Sequence, residues 1–206
     1  MPVFDYQTIE KPAEGSYKEK GSKFLAFAYP VEHEEDIKEY MAALKKKYFD
    51  ARHHCFAWML GAESKRFRAS DDGEPNHSAG DPILGQIRSK NVTDVLVVVV
   101  RYFGGVKLGV GGLISAYKSA AEDALNNAGI VRREVVERII LSYDYASTPD
   151  VMKLVKDFDL AIADQAFHDQ CVMHCDVPLR MSAKLNELIQ FLRDMKVLID
   201  VTQGRE

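Results

Sequence analysis

Cysteine is scarce in this 206-residue chain, with Cys55, Cys171 and Cys175 the three that occur. So small and odd a set does not make a disulfide framework, and the three read as free thiols of a cytoplasmic protein. Long apolar runs are also missing. None approaches the roughly 20 residues that span a bilayer, so no membrane attachment is expected. The opening residues, Met1 to Tyr6, lack the basic start and apolar stretch of a secretory signal. Basic surplus is absent as well: 27 Lys and Arg stand against 31 Asp and Glu, a net charge of −4. Neither half of the chain is basic, which disfavours tight non-specific binding to a polyanion, since such binding needs many Lys/Arg–phosphate contacts.

What the chain does have is concentrated between Asp94 and Lys118. An apolar run, Val95 to Val100, ends in Arg101-Tyr102-Phe103. Five glycines and one lysine then fall within nine residues, at Gly104, Gly105, Lys107, Gly109, Gly111 and Gly112. An Ala-rich helical pattern follows. A buried strand, a glycine turn and a helix N-terminus are the parts of an anion cradle, because small residues let N–H groups approach a ligand and the helix dipole favours negative charge. The spacing does not match the phosphate loop of nucleotide hydrolases, which requires Gly-Lys followed by Ser or Thr. It does not match a dinucleotide fingerprint either, since Gly112 is followed by Leu113 and Ile114 and not by a third small residue. Two readings stand open: an anion or partner cradle, or glycines that only permit positive φ and close packing.

The surrounding pattern predicts α+β structure. A strand is expected over 20–31, a helix over 34–48 with Ile37, Tyr40, Met41 and Leu44 on one face, and strands over 53–60 and 65–70. The stretch from Asp71 to Pro82 is turn chemistry, with Pro82 read as a first helical residue. A helix is expected from Gly112 to Ala128, stopped by Gly129. After Glu137 the order reads strand, helix, strand, strand, helix, strand in under 70 residues, the ferredoxin-like arrangement. A domain boundary is therefore expected near 132–138, giving domains 1–134 and 135–206.

Three clusters are candidate chemistry. Arg101, Lys107 and Lys118 flank the glycine turn and could hold a phosphate or carboxylate; alternatively Arg101 pairs internally with Asp71 or Asp72. Asp71, Asp72 and Glu74 could bind a hard cation or act as acid and base, but carboxylates in a Gly/Pro turn more often organise the turn. His53 and Cys55 alternate with His54 on a strand and cannot converge on one ion; Cys171, His174 and Cys175 diverge in the same way. A Cys55–His77 nucleophile lacks any motif that joins the two. No catalytic residue, metal or cofactor is expected.

Three stretches, Ser70-Asp71-Asp72-Gly73-Glu74-Pro75, then Ala79-Gly80-x-Pro82-Ile-Leu, then Val98 through Leu113 with Ala116-Tyr117, resemble the IMPACT/YigZ (UPF0029-type) family from about Lys20 to Ala128. Two positions differ from the family pattern: Asn76-His77-Ser78 stands where Gly-Thr is common, and Ser115 where a basic residue is. The resemblance implies a first domain like the second domain of ribosomal protein S5, a mainly antiparallel sheet with helices on one side. It implies a second domain like the fifth domain of elongation factor G. It further implies a non-enzymatic, translation-associated or stress-regulatory role, with RNA, the ribosome or a protein as partner. The implied binding residues are Arg101, Tyr102, Phe103, Gly104, Gly105, Lys107, Gly109, Gly111, Gly112 and Lys118. The supporting loop is Asp71, Asp72, Gly73, Glu74, Pro75, Gly80 and Pro82. Two alternatives remain at this point: an enzyme acting on a nucleotide or other phosphorylated substrate at the same cleft, and a protein-interaction module whose glycine turn is architectural.

Overall fold

A computed structural model describes residues 2–204. Backbone contacts divide the chain into two compact units, Asp5–Arg133 and the residues from Glu134 onward together with those up to Phe4. The fold class is α+β, built on antiparallel sheets.

The first unit is organised around β6 (Val95–Tyr102), whose residues are buried from Val95 to Arg101. Continuous Val/Leu sequence suits a strand covered on both faces. It pairs antiparallel with β3 (Ser22–Pro30) and β4 (His53–Leu60). β2 (Ala13–Glu19) and β5 (Arg66–Ser70) flank them in the order β2-β3-β6-β4-β5. Alternation along β6 sends Val95, Val97 and Val99 to one core, with Ile83 and Ile87 of α2 (Gly80–Ser89) and Leu113, Tyr117 and Leu125 of α3 (Gly109–Ala128). Leu96, Val98 and Val100 face a second core with Phe27, Trp58 and Ile37 and Leu44 of α1 (Glu34–Lys47). The sheet is therefore covered on both faces, which corrects the expectation of helices on one side. The sequence of β3 carries the reason: Phe24, Ala26 and Ala28 enter one core while Phe27 enters the other.

Helix α1 is set by charge at its ends. Glu34, Glu35 and Asp36 occupy its first turn and Lys45, Lys46 and Lys47 its last, each opposing the helix dipole. The Asp36 carboxylate also accepts the His33 N–H at 2.9 Å. Three strands escape the sequence pattern. β1 (Asp5–Ile9) and β7 (Ile130–Glu134) form a two-stranded sheet of their own, and β2 is a polar edge strand of alternating exposure. Short edge strands carry little hydrophobic signal.

The second unit has the sheet order β11-β8-β10-β9, from β8 (Val136–Tyr143), β9 (Ala161–Phe167), β10 (Cys171–Pro178) and β11 (Ile199–Gln203). With α4 (Thr148–Asp157) and α5 (Leu179–Asp194) this is the ferredoxin-like βαββαβ order. Leu141, Met173, Leu154, Leu185 and Ile189 belong to its core. Cys171 and Cys175 are buried in that core and His174 is on the opposite face of β10, as the alternation requires. Among the described residues no group of His, Cys, Asp and Glu is placed to hold a metal ion. No helix among them is long and apolar enough to cross a membrane.

Candidate functional site

The loop between β5 and α2 is held open by its own carboxylates. Asp71 Oδ1 accepts the N–H groups of Ala79 and Gly80 at 2.9 and 2.8 Å, and Oδ2 accepts that of His77 at 2.8 Å. Ala79, the residue preceding α2, has no capping side chain, and Asp71 supplies the cap from eight residues upstream. Partial burial raises the Asp71 pKa, but the three amide bonds outweigh it and the carboxyl sits below its ordinary value. Asp72, at φ 41°, accepts the backbone N–H of His54 at 2.7 Å, and its carbonyl lies 2.9 Å from His53 Nδ1. Both acids are turn formers.

Glu74 does something different. It is 8% exposed, and its Oε1 accepts from Arg101 Nη1 at 2.6 Å and from the Tyr117 hydroxyl at 2.8 Å. Tyr117 in turn lies 3.3 Å from Cys55 Sγ. One buried chain of contacts thus joins the loop, β6, α3 and β4. Burial, reinforced by Cys55 and Glu74, pushes the Tyr117 hydroxyl far up. Burial also pushes the Cys55 thiol up to about 12, against a lowering from its bond to Tyr117. A thiol so placed stays protonated and is no nucleophile. Arg101 reaches Glu74 because it continues the Val95–Val97–Val99 row at the end of β6, opposite Phe24 on β3 and His53 on β4. Its guanidinium lies over the Phe24 and Phe103 rings at 5.5 and 5.7 Å. The internal pairing expected with Asp71 or Asp72 is therefore made with Glu74: the other two face backbone amides, and Glu74 is the carboxylate turned into the core.

A cavity of about 710 Å³ opens where the loop meets the glycine turn. Glu74 and Pro75 of the loop line it, with Arg101, Tyr102, Phe103, Lys107 and Gly109 of the turn. Lys118 does not line it and is exposed farther along α3, so the expected cluster of three cations is reduced to Arg101 and Lys107. Asp71, Asp72, Gly73, Gly80 and Pro82 belong to the loop but are not among the cavity's lining residues. Helix α3 begins at Gly109, three residues earlier than the pattern predicted, so Gly109, Gly111 and Gly112 belong to its first turn. The turn's glycines also divide. A Cβ on Gly104 would lie 1.9 Å from the Gly21 carbonyl carbon, and Gly109 has φ +72°, whereas a Cβ on Gly111 would meet nothing within 4 Å. His77, exposed beside Asp81 with its Nδ1 at 2.7 Å from Oδ2, is likewise not among the cavity's lining residues.

The far wall lies outside the binding residues expected from the sequence: Asp50 to Arg52 before β4, His53 at its start, and Leu108, Val110 and Leu113 on the α3 side. Antiparallel pairing of His53 with Arg101 brings the first group in, a register that no local pattern displays.

The profile of the Impact N-terminal domain matches residues 20–125. The chain belongs to the IMPACT family. It is 36% identical over 143 residues to IMPACT family member YvyE of Bacillus subtilis, across 69% of this chain and 66% of that protein. It is 30% identical over 187 residues to IMPACT family member YigZ of Escherichia coli, covering 89% of this chain and 92% of the other. A crystal structure described as that of a hypothetical protein superposes with a TM-score of 0.74 at 27% identity, covering all of both chains.

Proposed function

We propose that this chain is a non-enzymatic, translation-associated regulatory protein that acts by holding a protein partner in the cavity between the Asp71–Pro82 loop and the glycine turn. Membership of the IMPACT family supports a non-enzymatic regulatory role at the level of the family. The observation that carries the reading is where the cavity's polar groups are spent. Glu74 is occupied by Arg101 and Tyr117, and Cys55 behind it is held as a neutral thiol. The walls that remain are largely apolar, with Phe103 59% and Val110 51% exposed. Exposed apolar side chains grouped around a concave site suit a protein partner.

RNA is the weaker partner. Arg101 is neutralised by Glu74, the chain is net negative, and too few free cations remain for a phosphate backbone. A nucleotide-processing enzyme at this cleft would need a poised base or nucleophile. The cavity's one imidazole, His53, has its Nδ1 2.9 Å from the Asp72 carbonyl.

The test is a cell-free translation extract titrated with the purified protein and with the Arg52→Ala/Lys107→Ala double variant, both substitutions being at exposed positions. A dose-dependent change in output that the variant loses is expected. No change at stoichiometric excess over ribosomes would reject the reading. Direct RNA binding that weakens steeply across a salt series would move the partner from protein to RNA.

A further inference from the structure

The cavity carries a charge pattern that says more about its occupant. Five charged residues line it: Arg52, Arg101 and Lys107 against Asp50 and Glu74. Glu74 is cancelled by Arg101, and Asp50 accepts a hydrogen bond from the Tyr102 hydroxyl at 2.8 Å. Arg52 and Lys107 make no ion pair among the described residues. The cavity is therefore one positive charge in excess on a chain whose total is −4.

The start of α3 adds to this. Gly109 and Val110 line the cavity, the first turn holds no acidic residue, and Leu108 before it offers no capping side chain. The first N–H groups of a helix have no acceptor within it. A second observation points the same way. Arg101 lines the cavity at 8% exposure, and its Nε has no hydrogen-bond partner among the described residues. A buried charged donor left unmatched is costly, and an acceptor admitted by a shift of the side chains that cover it would relieve it.

Resting on the partner-binding reading above, we infer that the occupant is an acidic–apolar peptide segment of a protein partner. One carboxylate is held by Lys107, Arg52 and the first turn of α3, and an adjacent apolar or aromatic side chain lies against Phe103, Leu108 and Leu113. Charge decides for carboxylate over phosphate: a single excess positive charge balances a monoanion, and a dianionic phosphate would leave negative charge in a largely apolar site. The 710 Å³ volume accommodates two or three side chains.

The probe is acetyl-Ser-Gln-Leu-Phe-Glu-Leu-Ser-amide, a monoanion, followed by amide chemical shifts of the full chain. Shifts are expected to cluster on Phe103–Leu113 and Asp50–His53. Affinity should fall about tenfold when the peptide's glutamate becomes glutamine, and about tenfold in Lys107→Ala, the scale of one charge-assisted hydrogen bond. Lys153→Ala, an exposed change in the second unit, should leave it unchanged. A glutamine peptide that binds as well as the glutamate peptide overturns the inference. So does inorganic phosphate or AMP that displaces the peptide at equal concentration. If no peptide binds at low salt while the wild-type protein still alters translation and the Arg52/Lys107 variant does not, this inference falls and the regulatory reading stands. If both assays are flat, both fall.

Discussion

Alanine placed at four glycines separates the architectural part of the turn from the rest, and the structure assigns a sign to each. Gly104→Ala puts a Cβ 1.9 Å from the Gly21 carbonyl carbon and 2.1 Å from the Ser22 nitrogen. Backbone cannot yield cheaply, so the loss should reach about 3 kcal/mol or more. Gly109→Ala meets open space but must hold φ at +72°, a conformation that costs an L-residue about 1–2 kcal/mol. Gly111→Ala faces neither problem, because it sits in the first turn of α3 with open space at its Cβ. Replacing a helical glycine with alanine stabilises by about 0.5–1 kcal/mol, here a rise of roughly 1–4 °C in Tm. Gly85 of α2 is also helical with nothing near its Cβ, and it serves as the matched control with the same expected gain. Urea denaturation of the four single variants reads the order directly. A Gly111→Ala variant that loses stability as Gly109→Ala does, or a Gly104→Ala variant that unfolds at the wild-type midpoint, would refute this division of the turn.

Two further outcomes follow from the buried chain behind the cavity. Arg101→Ala leaves Glu74 buried without its counter-charge and should cost about 3–5 kcal/mol, whereas pairing it with Glu74→Gln should recover at least half; equal losses in the single and double variants would break the argument. The thiols should resist alkylation in the folded protein at pH 8, because all three are buried, and react fully in denaturant. Cys55 has its pKa raised from about 9 to about 12, so its folded form holds a proton that the unfolded chain releases sooner. That contribution is complete below pH 9 and is lost as pH rises toward 12, by up to about 4 kcal/mol, and Cys55→Ser should flatten that decline in a pH series of denaturation midpoints.

The sequence pattern located much of the molecule because its elements are locally self-consistent. The βαββαβ order after Glu137, the charge-capped α1, the buried β6 and the Gly129 stop of α3 each follow from periodicity or end chemistry within one segment. The acids of the Asp71–Pro82 loop were also legible as turn formers, since Asp beside Gly and Pro bonds its own backbone. The polar edge strands β1 and β2 were not, having no apolar row to read.

The site shows the same division more sharply. Sequence alone determined that Arg101, Lys107 and the glycines lie together after a buried strand, because they are adjacent in the chain. It could not determine which carboxylate Arg101 meets, since Asp71, Asp72 and Glu74 are within four residues and differ only in the direction the loop turns them. Tertiary structure decided that. Asp71 and Asp72 are drawn to unpaired amides, Glu74 is turned inward to Arg101 and Tyr117, and the register of β4 on β6 brings Arg52 and His53 to the cavity from 50 residues away. Long-range pairing sets which charges are cancelled and which are left free, and that balance gives the cavity its preference.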